Sequence, residues 1–365
     1  MNMKVATLHY SNSVIDLNRL FGMQVMEVNE LDLLRREGVE AHLFTHTVNG
    51  HHEHILEVPY YQNDKSLLDI PYYTRFIDMN PKADVLQGNA TPLLAAFQPE
   101  RTVIRFDGFV ELPLTNDDGV RTAYERANYI FVSEFLKNIF LTRYPFLPKD
   151  KCHVLHNAVN DASPVNRENR PKKKRLLFCS RWISDKGIDI LHDVLADLEK
   201  RRDDYELFLA GGLHQARMAK RIGEKEEKIK AKFAERKNVQ VVGYLQQNEL
   251  LEMFGSVDLL LFPSVWDEPF GLVPAEAGIA GVPTVAFSVG GVPEVISHKE
   301  TGLLVKKSRF RRLNVRRYAA AVERCLDDES ILMEMGERAR QRCTERFQWN
   351  TYIKKLLAIY AQVKG

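Results

Sequence analysis

Twice along the chain, short apolar runs of strand length alternate with segments of helical period, and a polar stretch with little to bury divides the two series. In the first series the runs 5–8, 41–44, 85–86, 102–106 and 129–132 read as buried strands. Residues 24–37 read as a helix, because Val25, Val28, Leu31 and Leu34 recur at threefold spacing before a stop at Gly38. A similar series begins again at Leu176. Strands alternating with helices imply parallel sheets, since a parallel partner is reached only through a crossover. At 365 residues the chain also exceeds what one core usually serves. The expectation is an α/β protein with an N-terminal domain over 1–160, a linker over 161–174, a second domain over 175–346 and a terminal segment 347–365. That segment carries Tyr352, Ile353, Leu356, Leu357 and Tyr360 on one helical face. From the residues alone it either packs on the first domain or caps the second.

A hydrophobic fraction of 45% and a charged fraction of 27% fit a soluble globular chain rather than a disordered one. The net charge of +2 makes no case for nucleic acid. Two local clusters, Lys172-Lys173-Lys174-Arg175 and Arg309-Phe310-Arg311-Arg312, fit either solvated surface or peripheral contact with an anionic membrane. Cys152, Cys179, Cys325 and Cys343 show no C-x-x-C spacing, so neither a zinc site nor a disulfide framework is expected. With no signal-like or membrane-spanning stretch before the first strand, the expected location is the cytoplasm, with any membrane contact peripheral. No G-x-x-x-x-G-K-[ST] occurs and no G-x-G-x-x-G follows the first strand, which argues against a P-loop NTPase or an ordinary nicotinamide dehydrogenase.

The most informative segment is Glu-Pro-Phe-Gly-Leu-Val-Pro-Ala-Glu at 268–276, with seven residues between Glu268 and Glu276. Gly271 lets the backbone pass close to a ligand, and Pro274 suits the first turn of a helix, where its missing N–H costs nothing. Glu276 would then lie on that turn. Unpaired amides at a helix start suit an anion, and an acidic side chain beside them can accept from sugar hydroxyls. Two glutamates at this interval can arise in any α/β protein, so the surroundings matter. Phe262-Pro263-Ser264 precedes the segment, and Ala-Gly-Val-Pro-Thr-Val-Ala at 280–286, Gly-Gly-Val-Pro-Glu-Val-Ile at 290–296 and Thr-Gly-Leu-Leu-Val at 301–305 follow it.

Together these resemble the E-x7-E signature and its flanks in the retaining glycosyltransferases of family 4, the group 1 glycosyltransferases. The segments 127–134 and 154–160 are similar to the end of that family's first domain. The resemblance implies the GT-B fold: two facing Rossmann-like domains with parallel sheets and a C-terminal helix crossing back to the first domain.

A strand ending near Cys179 leads into Ser-Arg-Trp-Ile-Ser-Asp-Lys-Gly at 180–187 and then a helix, with Asp185 a plausible N-cap. This loop brings the cations Arg181 and Lys186 to the carboxyl end of a strand, where open α/β sheets bind ligands. The resemblance assigns Arg181 and Lys186 to a donor diphosphate, where they would also stabilise departing charge. It assigns Glu276 to the ribose, Glu268 to hydroxyls of the transferred sugar, and the amides of Phe270, Gly271 and Leu272 to phosphate. Tyr244 either borders the base or packs as an ordinary aromatic.

On the acceptor side the pattern departs from the family. The segment 9–16 has no glycine, leaving Gly22 as the nearest candidate for close approach. Where many relatives carry a histidine, this chain has Arg105-Phe106-Asp107-Gly108. Asp107 could orient a hydroxyl, accept a proton or stabilise positive charge at the anomeric carbon, or it could be an Asx turn residue with Arg105 as partner. The resemblance implies a retaining hexosyltransferase that moves sugar from a nucleotide-diphosphate donor to a hydroxyl of a saccharide, lipid-linked or small-molecule acceptor. It implies no cofactor and no metal. A nucleotide-sugar epimerase or hydrolase on the same fold, or a nucleotide-sugar-binding protein without turnover, are the alternatives.

Overall fold

The structure is a computed structural model that describes residues 3–10, 14–18, 20, 22–58, 70–165, 172–213 and 219–365. Residues 166–171 of the expected linker, 11–13 of the glycine-free segment and Phe21 beside Gly22 lie outside the described residues. The chain divides into two compact units, Met1–Ala158 with Trp349–Gly365, and Val159–Gln348.

The first unit runs β1 (Lys4–Leu8), β2 (Val14–Asp16), α1 (Gly22–Arg36), β3 (Glu40–Thr45), β4 (Thr47–Asn49), β5 (Ile55–Glu57), α2 (Ile70–Met79), β6 (Val85–Asn89), β7 (Thr102–Phe106), α3 (Asp118–Arg126), β8 (Asn128–Phe131), α4 (Glu134–Arg143) and β9 (Cys152–Val154). Seven strands form one parallel sheet in the order β5-β3-β1-β6-β7-β8-β9. Strands β6, β7 and β8 are buried along their whole length, as parallel strands covered on both faces must be. Asp117 and Ser133 cap α3 and α4 by accepting the Val120 and Leu136 N–H groups, which fixes where each helix leaves its loop.

The second unit runs β10 (Lys174–Arg181), α5 (Ile188–Leu198), β11 (Tyr205–Gly212), α6 (Ala219–Ala234), β12 (Val239–Gly243), α7 (Gln247–Phe254), β13 (Leu259–Phe262), α8 (Leu272–Ala280), β14 (Thr284–Phe287), α9 (Val292–Val295), β15 (Gly302–Val305), α10 (Arg311–Asp327) and α11 (Glu329–Phe347). Its parallel sheet has the order β12-β11-β10-β13-β14-β15. Ile188, Leu191, Val194, Leu195 and Leu198 of α5 are all buried, as their spacing predicts. Both units are thus Rossmann-like α/β layers.

The last helix, α12 (Trp349–Lys364), belongs to the first unit. Its Tyr352, Ile353, Leu356 and Tyr360 join Val5, Leu31, Leu34 and Leu43 in one core. The divisions between the units fall at 158/159 and 348/349. Phe347 packs edge-on against Phe270 at 5.3 Å in the second unit, and the Val165 N–H donates to the Ala280 carbonyl there.

In each sheet the strand order reverses once, between β1 and β6 and between β10 and β13. Outside the carboxyl ends of strands at such reversals, neighbouring loops splay apart and leave a crevice.

Candidate functional site

Two loops flank the reversal in the second unit. After β10 the chain makes a tight turn, Ser184–Lys186, and enters α5 through Gly187 at φ +78°. A Cβ on Gly187 would lie 1.9 Å from the Pro263 carbonyl oxygen, so only glycine lets this turn meet the segment after β13. Gly187, not Asp185, is the N-cap of α5. Asp185 is exposed and acts through its backbone carbonyl, which accepts from the Val265 and Trp266 N–H groups. The short turn uses up the residues that an Asp185 cap would have needed.

That junction brings Lys186 and Glu268 together. Lys186 Nζ donates to both Glu268 carboxylate oxygens, at 2.7 and 2.8 Å, and the Ser264 hydroxyl donates to Oε1 at 2.6 Å. Glu268 is 6% exposed, and its backbone is clamped as well, since its carbonyl accepts the Gly291 N–H at 2.7 Å. A Cβ on Gly290 would stand 2.1 Å from that carbonyl oxygen and one on Gly291 2.5 Å from the Pro269 carbonyl oxygen, which explains the paired glycines at 290–291. Arg181 ends β10 and is exposed.

The helix of the 268–276 segment starts earlier than its proline suggests. Gly271, at φ +111°, caps α8, so Glu276 is its fifth residue and lies beyond the first turn. It is consequently buried, with the Gln247 side-chain amide donating to Oε1 at 2.8 Å. Burial pushes the Glu276 carboxyl up to about 7, although the Gln247 hydrogen bond works the other way. The Phe270 ring is buried against Phe347, so its side chain anchors the loop that carries the Gly271 and Leu272 amides. Tyr244 follows Gly243 at the carboxyl end of β12 and is exposed.

In the first unit, Asp107 follows β7 and is gripped by Arg105. The guanidinium Nε reaches Asp107 Oδ2 at 3.0 Å and Nη2 reaches Oδ1 at 3.1 Å. Arg105 is itself 2% exposed and also donates to Glu30 at 3.0 Å and Asn157 at 2.7 Å, while the Tyr352 hydroxyl bridges Arg105 and Glu30. Burial raises the Glu30 carboxyl, with Arg105 opposing that rise. Burial would lower the Arg105 guanidinium, but Asp107, Tyr352 and Glu30 overcome this and hold it above its ordinary value. The network continues through Gln87 to Tyr360 and, by the Gln87 amide donating to Asn89 at 3.0 Å, on to Glu27, which pairs with Asn89 and His9, each at 2.6 Å. Gly22 opens α1 at φ +35° and is exposed, with open space where a Cβ would point.

Sequence reasoning missed Ser264, Gln247, Glu30, Asn157 and Tyr352. A signal existed for Glu30: Glu27 and Glu30 interrupt the stripe that Leu31 and Leu34 put into the core, and charges on a buried face need partners. Among the described residues, no group of three or more His, Cys, Asp or Glu side chains could hold a metal ion.

Comparison with solved structures shows the fold. Anabaena HepE, crystallised with UDP and glucose, superposes with a TM-score of 0.77 at 17% identity, covering 99% of this chain and all of that one. This is the GT-B architecture. Among curated proteins the chain is 29% identical over 261 residues to the alpha-maltose-1-phosphate synthase of Mycolicibacterium smegmatis, covering 67% of this chain and 66% of the relative. It is 30% identical over 216 residues to the glycogen synthase of Mycobacterium tuberculosis, covering 58% of this chain and 48% of the relative. The chain thus spans about half to two thirds of these relatives' lengths. Residues 160–342, just over half of the chain, match the family described as glycosyl transferases group 1, and the chain belongs to that family.

Proposed function

We propose that the protein is a family 4 retaining glycosyltransferase that moves a hexosyl group from a nucleotide-diphosphate sugar to a hydroxyl acceptor. The observation that carries this reading is the pairing of Lys186 with Glu268 beside the β10/β13 reversal, with Glu276 buried in the helix that the same segment starts. Lys186 and Arg181 supply cations for a diphosphate, and the start of α8 supplies amides. Three of the hydrogen bonds that Glu268 can accept are taken by Lys186 and Ser264, and a carboxylate has capacity for about four, which leaves room for a sugar hydroxyl. Glu276 accepts from the ribose.

On this reading the leaving diphosphate takes the proton of the incoming hydroxyl on the face from which it departs, so the anomeric configuration is kept without a protein nucleophile. Lys186 and Arg181 stabilise the charge that develops on the diphosphate, the role a metal fills elsewhere. Asp107, held by Arg105, orients the acceptor or the transferred sugar. The names of the relatives support a donor of this class, since one is a glycogen synthase and HepE was solved with UDP and glucose.

The test is thermal unfolding with a panel of UDP-, GDP- and ADP-sugars, followed by transfer assays with whichever donor stabilises the fold. Stabilisation by at least one donor, with retention of anomeric configuration in the product, is expected. Stabilisation by none refutes the donor site, and acceptor-independent nucleotide release identifies a hydrolase instead.

A further inference from the structure

Residues 306–317 carry seven cations, Lys306, Lys307, Arg309, Arg311, Arg312, Arg316 and Arg317, and no acidic residue, in a chain whose net charge is only +2. All seven are exposed, and so is Phe310, whose 58% exposure is the highest among the exposed large hydrophobic residues. Arg309 stacks over the Phe310 ring at 4.6 Å. Among the described residues only Arg311 of the seven has a carboxylate within ion-pair distance, Asp193 at 2.8 Å.

The placement opposes helix stability. Arg311 and Arg312 are the first two residues of α10, which has no acidic residue in its first turn, and cations are disfavoured at the positive end of a helix. The loop before it is held in shape, because buried Asn314 exchanges hydrogen bonds with the Ser308 backbone, at 2.7 and 2.9 Å, and so fixes the turn that presents Phe310. Five cations and three carboxylates, Asp193, Asp197 and Glu323, line the depression beside Phe310, so the cations are in excess there, and a fixed exposed apolar ring beside excess cations is what an anionic bilayer surface attracts. The other basic cluster lacks this character. Lys174 pairs with Glu329, Lys173 donates to Asn238 and Arg175 lies over Phe208.

The patch borders the donor site within the same unit. Lys307 Nζ donates to the Val265 carbonyl, one residue beyond Ser264, and Arg311 donates to the Asp189 carbonyl, whose side chain holds Ser184. We propose that residues 306–317 dock on an anionic lipid bilayer, with Phe310 entering the interface, and that this brings the rim of the donor site to the membrane surface. The docking stands apart from the donor reading, because it requires no turnover, while the placing of the donor-site rim rests on that reading.

The experiment is co-sedimentation of the full chain with vesicles of phosphatidylcholine alone or with about one third phosphatidylglycerol. Binding is expected only to the anionic vesicles and should weaken as salt rises. With each cation near such a surface worth about a fivefold change in partitioning, Arg312→Glu with Arg316→Glu should lower it at least about 25-fold, and Phe310→Ala should lower it severalfold. The matched reversal Lys225→Glu with Lys228→Glu on the exposed side of α6 should retain binding. All variants are checked for unchanged melting. No binding to either vesicle, equal binding to both, an equal loss in the control, or capture by a soluble polyanion with no vesicle binding would each overturn the proposal.

Discussion

Replacing Glu276 by Gln should make the protein more stable and a poorer binder at once, with a pH signature that separates the two effects. The carboxyl is raised from its ordinary 4.5 to about 7 by burial. A displacement of that size corresponds to about 3 kcal/mol against the charged form. Between pH 4.5 and 7 the folded chain keeps a proton that the unfolded chain has given up, so stability falls as pH rises through this window and levels off above it. Glutamine has no charge to bury and can still accept from Gln247. The variant should therefore match the wild type near pH 4.5 and exceed it increasingly up to pH 7. At roughly 2–4 °C per kcal/mol for a domain of this size, the gap above about pH 7.5 should reach roughly 6–12 °C. Nucleotide-sugar affinity should fall, in the same variant, by roughly 10- to 100-fold, the worth of hydrogen bonds to a charged acceptor. Melting curves and calorimetric titrations from about pH 4.5 to 8.5 measure both. A variant less stable than wild type at about pH 8, or an offset that does not change with pH, would show that burial does not hold the Glu276 proton.

Four further substitutions probe the candidate residues of the two units. Lys186→Ala strands a buried carboxylate and should cost about 3 kcal/mol in chemical denaturation, and adding Glu268→Gln should restore stability without restoring donor binding. Asp107→Ala should slow transfer while leaving nucleotide-sugar affinity as in the wild type, and unchanged turnover would remove Asp107 from the reaction. Gly187→Ala puts a methyl group 1.9 Å from the Pro263 carbonyl at a left-handed backbone position, so donor-dependent stabilisation should be lost even where the chain still folds; normal donor binding would contradict the close approach.

What the sequence makes legible is what lies close along the chain. The 268–276 segment carries its glycine, its proline and both carboxylates within one loop and helix, so its chemistry can be read from neighbouring residues alone. The long strands β1, β3 and β7 are legible for the same reason, as apolar runs between turns. The strands β2, β4 and β5 have three residues each, too few for a period to register. The grip on Asp107 is mostly hidden. Arg105 is a guessable neighbour, but Glu30 and Tyr352 stand 75 and 247 residues from Arg105, and only the packing of α1 and of α12 within the first unit brings them there. Proline marks a helix's first turn without fixing which of its residues comes first, so Pro274 suggests too late a start for α8 and conceals the burial of Glu276.

The most direct measurement is a crystal structure of the protein with an unreactive nucleotide-diphosphate sugar. Lys186 and Arg181 are expected on the diphosphate, with the ribose hydroxyls donating to Glu276. A diphosphate bound elsewhere, with Lys186 still closed on Glu268 and no ligand oxygen near Glu276, would contradict this.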